Sequence, residues 1–342
     1  MRNGVRQGAV LSPILFCFYM NDLFSLLRES GAGCCIDDYY AGVFGYADDL
    51  LLLCPSRDGL QKMLDIAQDY ANEHKIAFST DINPQKSKTK GILFSTETPI
   101  DSPVPVSLNG NPLPWVNSGK YLGNKLTSVQ DGYRQDVSEK RAMFITRNIE
   151  LNQEFYFAHP AVKCRINQIY NSSFSGSVLW NLKGEKTKQL VNSWSVAVRH
   201  MWNLPHNTHR IFLESLGGTH AEVMLYSRYV SFVQSVRNSG KLAAIYLLEK
   251  SYKDLTTMTG QNVRHILDKT GETNIFRMKA KQVKVKFKFE DLPEDQEWKV
   301  KMMKEIVDVN FNTLVLSTDI EHNDDQFSAD ELNEILCYLA TS

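Results

Sequence analysis

Residues 43–54 read Val-Phe-Gly-Tyr-Ala-Asp-Asp-Leu-Leu-Leu-Leu-Cys, so two adjacent carboxylates, Asp48 and Asp49, interrupt a run that is otherwise almost wholly apolar. Two short apolar stretches joined by Ala-Asp-Asp predict a tight antiparallel hairpin with the aspartates at its tip. Like charges held side by side repel, and burying them without compensation is costly. A divalent cation removes the conflict. Mg²⁺ is a hard ion that takes one or two carboxylates and completes its shell with water and phosphate oxygens. In two-metal phosphoryl transfer, ions about 4 Å apart activate the attacking hydroxyl and stabilise the leaving oxygen. Aspartate is also common in ordinary turns, where such pairs are simply solvated. The FGY and LLLL flanks weigh toward the metal, because they predict a turn held by a packed sheet.

The chain has 342 residues, enough for two or three compact units, and its 43% hydrophobic and 11% aromatic content is that of an ordinary globular protein. No uncharged apolar run is long enough to span a membrane, and MRNGVRQGAV has no signal-peptide character. The expected compartment is therefore intracellular, nucleus or cytoplasm. Six cysteines (17, 34, 35, 54, 164 and 337) lack metal-ligand or disulfide-frame spacing and read as reduced thiols. His206 and His209 have no partner that completes a zinc spacing, and in 319–330 Asp324 stands where a calcium loop needs glycine.

Along the chain, Ile14, Leu15, Phe18, Tyr19, Leu23 and Leu26 recur at helical spacing after Ser12 and Pro13, which predicts a largely buried helix with Ser12 as its cap. The hairpin follows, and then an amphipathic helix capped by Asp58 with Leu60, Met63, Leu64, Ala67 and Tyr70 on one face. A lysine-bearing turn, INPQKSK, feeds an expected strand GILFS, and a Pro-rich loop and the turn NGNP lead to GKYLG. Helices with basic faces begin past Ser128. The expected fold class is α+β: a partial palm of helix, hairpin, helix and strands over 1–130, a basic and mainly helical region over 131–290, and an acidic tail with a short helix over 291–342.

The net charge of −1 hides a division within the chain. Residues 1–130 carry 11 Lys+Arg against 13 Asp+Glu, residues 131–290 carry 24 against 13, and residues 291–342 carry 3 against 13. A basic middle of that size points either to a polyanion or to a solvated helical surface. Trp180, Trp194 and Trp202 lie among its basic residues, as stacking groups or as core. Lysines alternate with Val283, Val285, Phe287 and Phe289 in 279–289, the pattern of a strand with one basic face.

Four segments, GVRQGAVLSPILFCFYMNDL, FGYADDLLLL, INPQKSK and KYLG, occur in the order and spacing found in reverse transcriptases of the non-LTR, LINE-type retrotransposons, and residues 4–125 resemble the second half of that enzyme. The resemblance implies an RNA-directed DNA polymerase using Mg²⁺, with Mn²⁺ as the alternative ion. It implies RNA template, DNA primer and deoxynucleoside triphosphates as partners, and no membrane. By that resemblance Asp48 and Asp49 match the metal-binding aspartates, and Arg6, Gln7, Gly8 and Tyr46 lie along the template and incoming nucleotide. Asn83 and Lys86 match the motif near the triphosphate, where lysine assists departure of pyrophosphate. Tyr121, Leu122 and Gly123 match the segment that grips the primer, and the helices after residue 130 fall where the thumb should be.

In that family another metal-binding aspartate and the fingers precede the RQG motif, whereas Gly8 stands seven residues after Met1. The expectation is an N-terminally truncated polymerase, inactive alone, with its missing half supplied in trans or absent, an unpaired sheet edge and an uncovered apolar face. The alternative is a non-catalytic remnant that binds nucleic acid.

Overall fold

The computed structural model describes residues 10–81, 83, 86–94, 104–129, 132–206, 208 and 210–285. Arg6, Gln7 and Gly8 lie outside the described residues, as do the acidic tail and most of the expected basic strand. The chain divides into two compact units, one of residues 1–133 with Lys241–Leu247, the other of 134–240 with 248–342.

The first unit opens with helix α1 (Ser12–Glu29), whose cap position is Leu11, with no side-chain cap bond. Ser12 is therefore the first helical residue rather than the cap. Four two-stranded antiparallel hairpins follow in the order β1 (Cys35–Ile36) with β2 (Tyr39–Tyr40), β3 (Val43–Tyr46) with β4 (Asp49–Leu52), β5 (Ser107–Leu108) with β6 (Asn111–Pro112), and β7 (Ser118–Tyr121) with β8 (Asn124–Thr127). Between the second and third hairpins runs α2 (Arg57–His74), capped by Ser56, whose hydroxyl accepts from Gly59 N at 3.2 Å. Asp58, expected as the cap, instead lies in the first turn, where its carboxylate pairs with Arg57 at 2.9 Å. The expected strand at 91–94 is reduced to a single bridge between Gly91 and Trp115, and the expected basic strand shows a 3-10 turn over Ala280–Gln282 in its described part.

Packing in this unit joins α1 to α2. Met20, Leu23 and Leu27 meet Met63, Ala67 and Tyr70, with Val43, Leu50 and Leu52 of the second hairpin against them. Tyr70 donates its hydroxyl to the Tyr19 carbonyl, and Tyr19 donates to the His74 carbonyl at 2.8 Å. The third hairpin is tied to α2 by Gln61, whose amide both accepts from Ser107 N at 2.9 Å and donates to Ser107 O at 3.0 Å.

Helix α1 corrects the expectation of a largely buried element. Leu23 is inside, but Ile14, Leu15, Phe18, Tyr19 and Leu26 are exposed, Phe18 at 75%. The helix is apolar on opposite faces: the Met20–Leu23–Leu27 face packs its side chains against α2, with Tyr19 at its edge. Periodicity detects such a helix but cannot say which apolar face is covered. The second hairpin likewise exposes Phe44 and Tyr46, and no further strand joins it among the described residues.

The second unit is helical: α3 (Tyr133–Glu154), α4 (Pro160–Ile166) continued by a π turn (Asn167–Asn171), α5 (Glu185–Met201), α6 (Arg210–Gly217), α7 (Ala221–Arg237), α8 (Leu242–Ser251), divided between the units at Leu247, and α9 (Met258–Thr270). Trp180, Trp194 and Trp202 are at most 1% exposed, which makes them core rather than stacking groups. Trp180 Nε1 donates to Asp136 at 2.6 Å, and the buried Asn262 amide bridges the Trp180 carbonyl and the Leu182 amide at 2.8 and 2.9 Å.

Leu27→Ala is expected to cost about 2–5 kcal/mol in urea unfolding, while Phe18→Ser changes stability by less than ~0.5 kcal/mol and lowers binding of an apolar dye. A loss for Phe18→Ser as large as that for Leu27→Ala would show that this face is packed.

Candidate active site

The register of the second hairpin fixes where its carboxylates stand. Val43 pairs with Leu52, Phe44 with Leu51, Gly45 with Leu50 and Tyr46 with Asp49, so the turn is the two residues Ala47 and Asp48, and Asp49 is the first residue of β4. Ala47 takes φ 50°, the left-handed region that costs an alanine roughly 1–2 kcal/mol, while Asp48 does not. One positive φ at the first central position is the pattern of a type II′ turn. Both carboxylates are exposed at the tip of the hairpin. Among the described residues neither carboxylate has a hydrogen-bond or ion-pair partner.

Gly45 holds this hairpin against α1. A Cβ at this position would run into the Phe24 ring, with Cε2 at 3.1 Å and Cζ closer still. The absent side chain lets the strand lie directly on the aromatic ring, two residues before the turn.

The fourth hairpin pairs Tyr121 with Asn124 across the turn Leu122–Gly123, both with positive φ (49° and 78°), a type I′ pattern. Tyr121 and Asp49 are brought together: burial raises the phenol above its ordinary value, and the Asp49 carboxylate raises it further. Lys120 stands directly across from Lys125, a like-charge cross-strand pair. Asn83 and Lys86 lie on one exposed turn in which the amides of Lys86 and Ser87 donate to the Asn83 carbonyl at 3.0 and 3.1 Å. The Lys86 ammonium meets no hydrogen-bonding or ionic partner among the described residues.

As a metal site the hairpin tip fits a hard divalent cation in the kind of its donors, two solvent-facing carboxylates that leave coordination positions to water and phosphate oxygens. Among the described residues no group of three His, Cys, Asp or Glu side chains gathers to hold a metal by itself. No helix among them is long and apolar enough to cross a membrane.

Sequence reasoning missed the Phe24–Gly45 contact and the Tyr121–Asp49 proximity, since both join distant segments. It also missed the exposed aromatics Phe155, Tyr156, Phe157 and Tyr170 of the second unit. Only the consecutive Phe-Tyr-Phe before Pro160 could have signalled them.

Residues 1–126 match the family model described as reverse transcriptase (RNA-dependent DNA polymerase). The chain is 28% identical over 212 residues to the Retrovirus-related Pol polyprotein from type-2 retrotransposable element R2DM of Drosophila melanogaster, covering 59% of this chain and 19% of that protein. It is 24% identical over 196 residues to the RNA-directed DNA polymerase from mobile element jockey of the same fly, covering 53% of this chain and 19% of that protein. The chain thus spans about a fifth of the length of these relatives. Residues 1–126 thus resemble a reverse transcriptase domain, and both relatives are proteins of mobile elements.

Gly45→Val should destabilise the hairpin by about 1–3 kcal/mol, and Phe24→Ala in the same chain should return part of that loss. Additive losses in a denaturation double-mutant cycle would separate the two residues. Asp49→Asn removes the charge that opposes phenolate formation, so the Tyr121 pKa should fall toward its ordinary value while burial keeps it above. Carbon-13 tyrosine NMR across the alkaline range reads the change, and an unmoved Tyr121 would contradict the proximity.

Proposed function

We propose that this chain supplies the metal-binding turn and the primer-side hairpin of an RNA-directed DNA polymerase, copying RNA from a DNA primer with deoxynucleoside triphosphates. The observation that carries the reading is the Tyr46–Asp49 tip: two partnerless carboxylates on a hairpin anchored to α1, in a segment that matches reverse transcriptases. Asp48 and Asp49 hold the cation, with Mg²⁺ the expected ion and Mn²⁺ the alternative. When bound there, the ion neutralises phosphate charge and favours the ionised form of the attacking hydroxyl.

The protein's own contribution is positioning. Asp48 projects from a two-residue turn, and its backbone freedom is limited by the pairing of Tyr46 with Asp49 on either side. Tyr121 supplies a phenol, and burial together with the Asp49 carboxylate raises its pKa, so the neutral form that can donate a hydrogen bond persists further into the alkaline range. The strand positions Lys120 and Lys125 present positive charge to the backbone of a bound primer, and Lys86 reaches toward the triphosphate. Arg6, Gln7 and Gly8 face template and nucleotide in this reading. The basic helices of 131–290 lie against the duplex, and an upstream segment, in the same polypeptide or in trans, provides a further metal ligand.

Primer extension on an RNA template with Mg²⁺ tests the proposal, using this chain alone and this chain mixed with the upstream part of a related polymerase. Synthesis in either arm should fall roughly a hundredfold or more in Asp48→Ala. Synthesis indifferent to Asp48→Ala would overturn the assignment. Nucleic-acid binding with no synthesis in either arm would leave the chain as a binding remnant.

A further inference from the structure

Tyr156, Phe157 and Tyr170 are 78%, 74% and 69% exposed in the second unit, and Ile169 beside them is 53% exposed. Large apolar side chains this open and this close together call for an explanation, whereas single exposed ones do not. Phe157 meets Tyr156 edge to face with ring centroids 5.5 Å apart, and Phe155 at a tilt with centroids 6.4 Å apart. Across from them α4 does not end normally. It passes into a π turn, closed by the Ser172 amide donating to the Asn167 carbonyl at 3.0 Å, and Tyr170 projects from that turn. Single π turns inside or beside α-helices are rare and recur at functional sites.

Between the C-terminal half of α3 and this turn lies a cleft of about 490 Å³. Leu151 is its buried floor, Phe155 and Tyr170 give it aromatic walls, and Arg147, Glu150 and Glu154 stand at its edge. No hydrogen bond or ion pair engages these three charged heads among the described residues. The cleft thus combines ring faces with uncommitted donors and acceptors.

We propose that this cleft stacks an unpaired base of a single-stranded nucleic acid. The proposal rests on the nucleic-acid reading above and assigns a base-binding site within the second unit. Paired carboxylates at the edge disfavour a phosphate inside, but they accept hydrogen bonds from the exocyclic amines of bases. Ring faces accept any base, and stacking on aromatic side chains is the common device for holding single strands. Phosphates on either side meet a segment that carries 24 Lys+Arg against 13 Asp+Glu, including the exposed Arg165 two residues before the π turn. A perfect duplex offers no free base face, so the cleft discriminates against it. An apolar protein surface would be served poorly by three unpaired charged heads at the rim.

The test uses the whole chain with a ~12-nucleotide single-stranded RNA bearing 2-aminopurine, and in parallel a blunt duplex of the same sequence. Stacking quenches the fluorescent base, so the single strand should be quenched on binding and the duplex should bind without a comparable change. Tyr170→Ala should weaken single-strand binding roughly tenfold and remove the quenching, Tyr170→Phe should retain both, and duplex affinity should not move. Because Tyr170 is exposed, the Ala variant is expected to fold, and its retained duplex affinity confirms this. If both variants bind the single strand like the parent, the cleft inference fails while the nucleic-acid reading stands. If the parent binds neither probe, both fail. If Tyr170→Ala leaves RNA binding intact but reduces self-association in sedimentation, the patch is a protein contact and the inference is overturned.

Discussion

The ring of Phe24 occupies the space that a side chain at position 45 would need, and the geometry of the carboxylate tip depends on that contact. A two-stranded hairpin is marginal in water without a helix or further strands to pack on. Here α1 supplies the support, with Val43, Leu50 and Leu52 completing the apolar side and α2 closing the core from beyond. The strand lies close to the helix only because residue 45 has no side chain. The turn that follows two residues later inherits its position from this contact. Alanine at 47 takes a strained left-handed φ in that turn, and the ladder from Val43–Leu52 to Tyr46–Asp49 holds it there.

The hairpin itself was legible in the sequence because its signals are local: two apolar runs, a short polar interval and the period of a strand. The helices flanking it were legible for the same reason. The face of α2 was legible too, with Met63, Leu64, Ala67 and Tyr70 buried, but the caps of both helices and the covered face of α1 were not. Ser56 rather than Asp58 caps α2, a shift of two residues among several capable side chains. The misread face of α1 has a different cause: opposite sides of one helix are apolar, and the choice between them is made by α2, more than thirty residues away. The strand expected at 91–94 failed because a strand exists only where a partner ladder forms, and Trp115 offers a single bridge. The exposure of Asp48 and Asp49 was not legible, since an apolar sequence on both flanks looks alike whether a sheet has two strands or five.

Trp180 goes inside because its indole finds Asp136, and Trp194 packs edge-on against the buried His220 at 4.6 Å. Their sequence neighbourhood is basic, but a helix places neighbours on different sides, so a tryptophan flanked by lysines can be fully buried while the lysines remain solvated. Composition therefore left the tryptophans open between stacking groups and core, and burial decides for core. The exposed rings come instead from the interval between α3 and α4 and from the π turn, where regular periodicity breaks down and burial cannot be read from spacing.

Electrostatic complementarity links the two hairpin tips of the first unit. Asp49 begins β4, Tyr121 ends β7, and each is the residue immediately flanking a two-residue turn with left-handed backbone. Such turns leave little freedom for the residues that bracket them, so the separation of carboxylate and phenol is set by backbone geometry rather than by flexible side chains. The carboxylate raises the phenol's pKa, and the same coupling disfavours any arrangement in which both carry negative charge. A cation at the tip weakens that constraint by screening Asp49, which makes the protonation of Tyr121 sensitive to what the aspartates hold. The hairpin that meets the primer in the proposed reading is thereby coupled electrostatically to the turn that meets the metal.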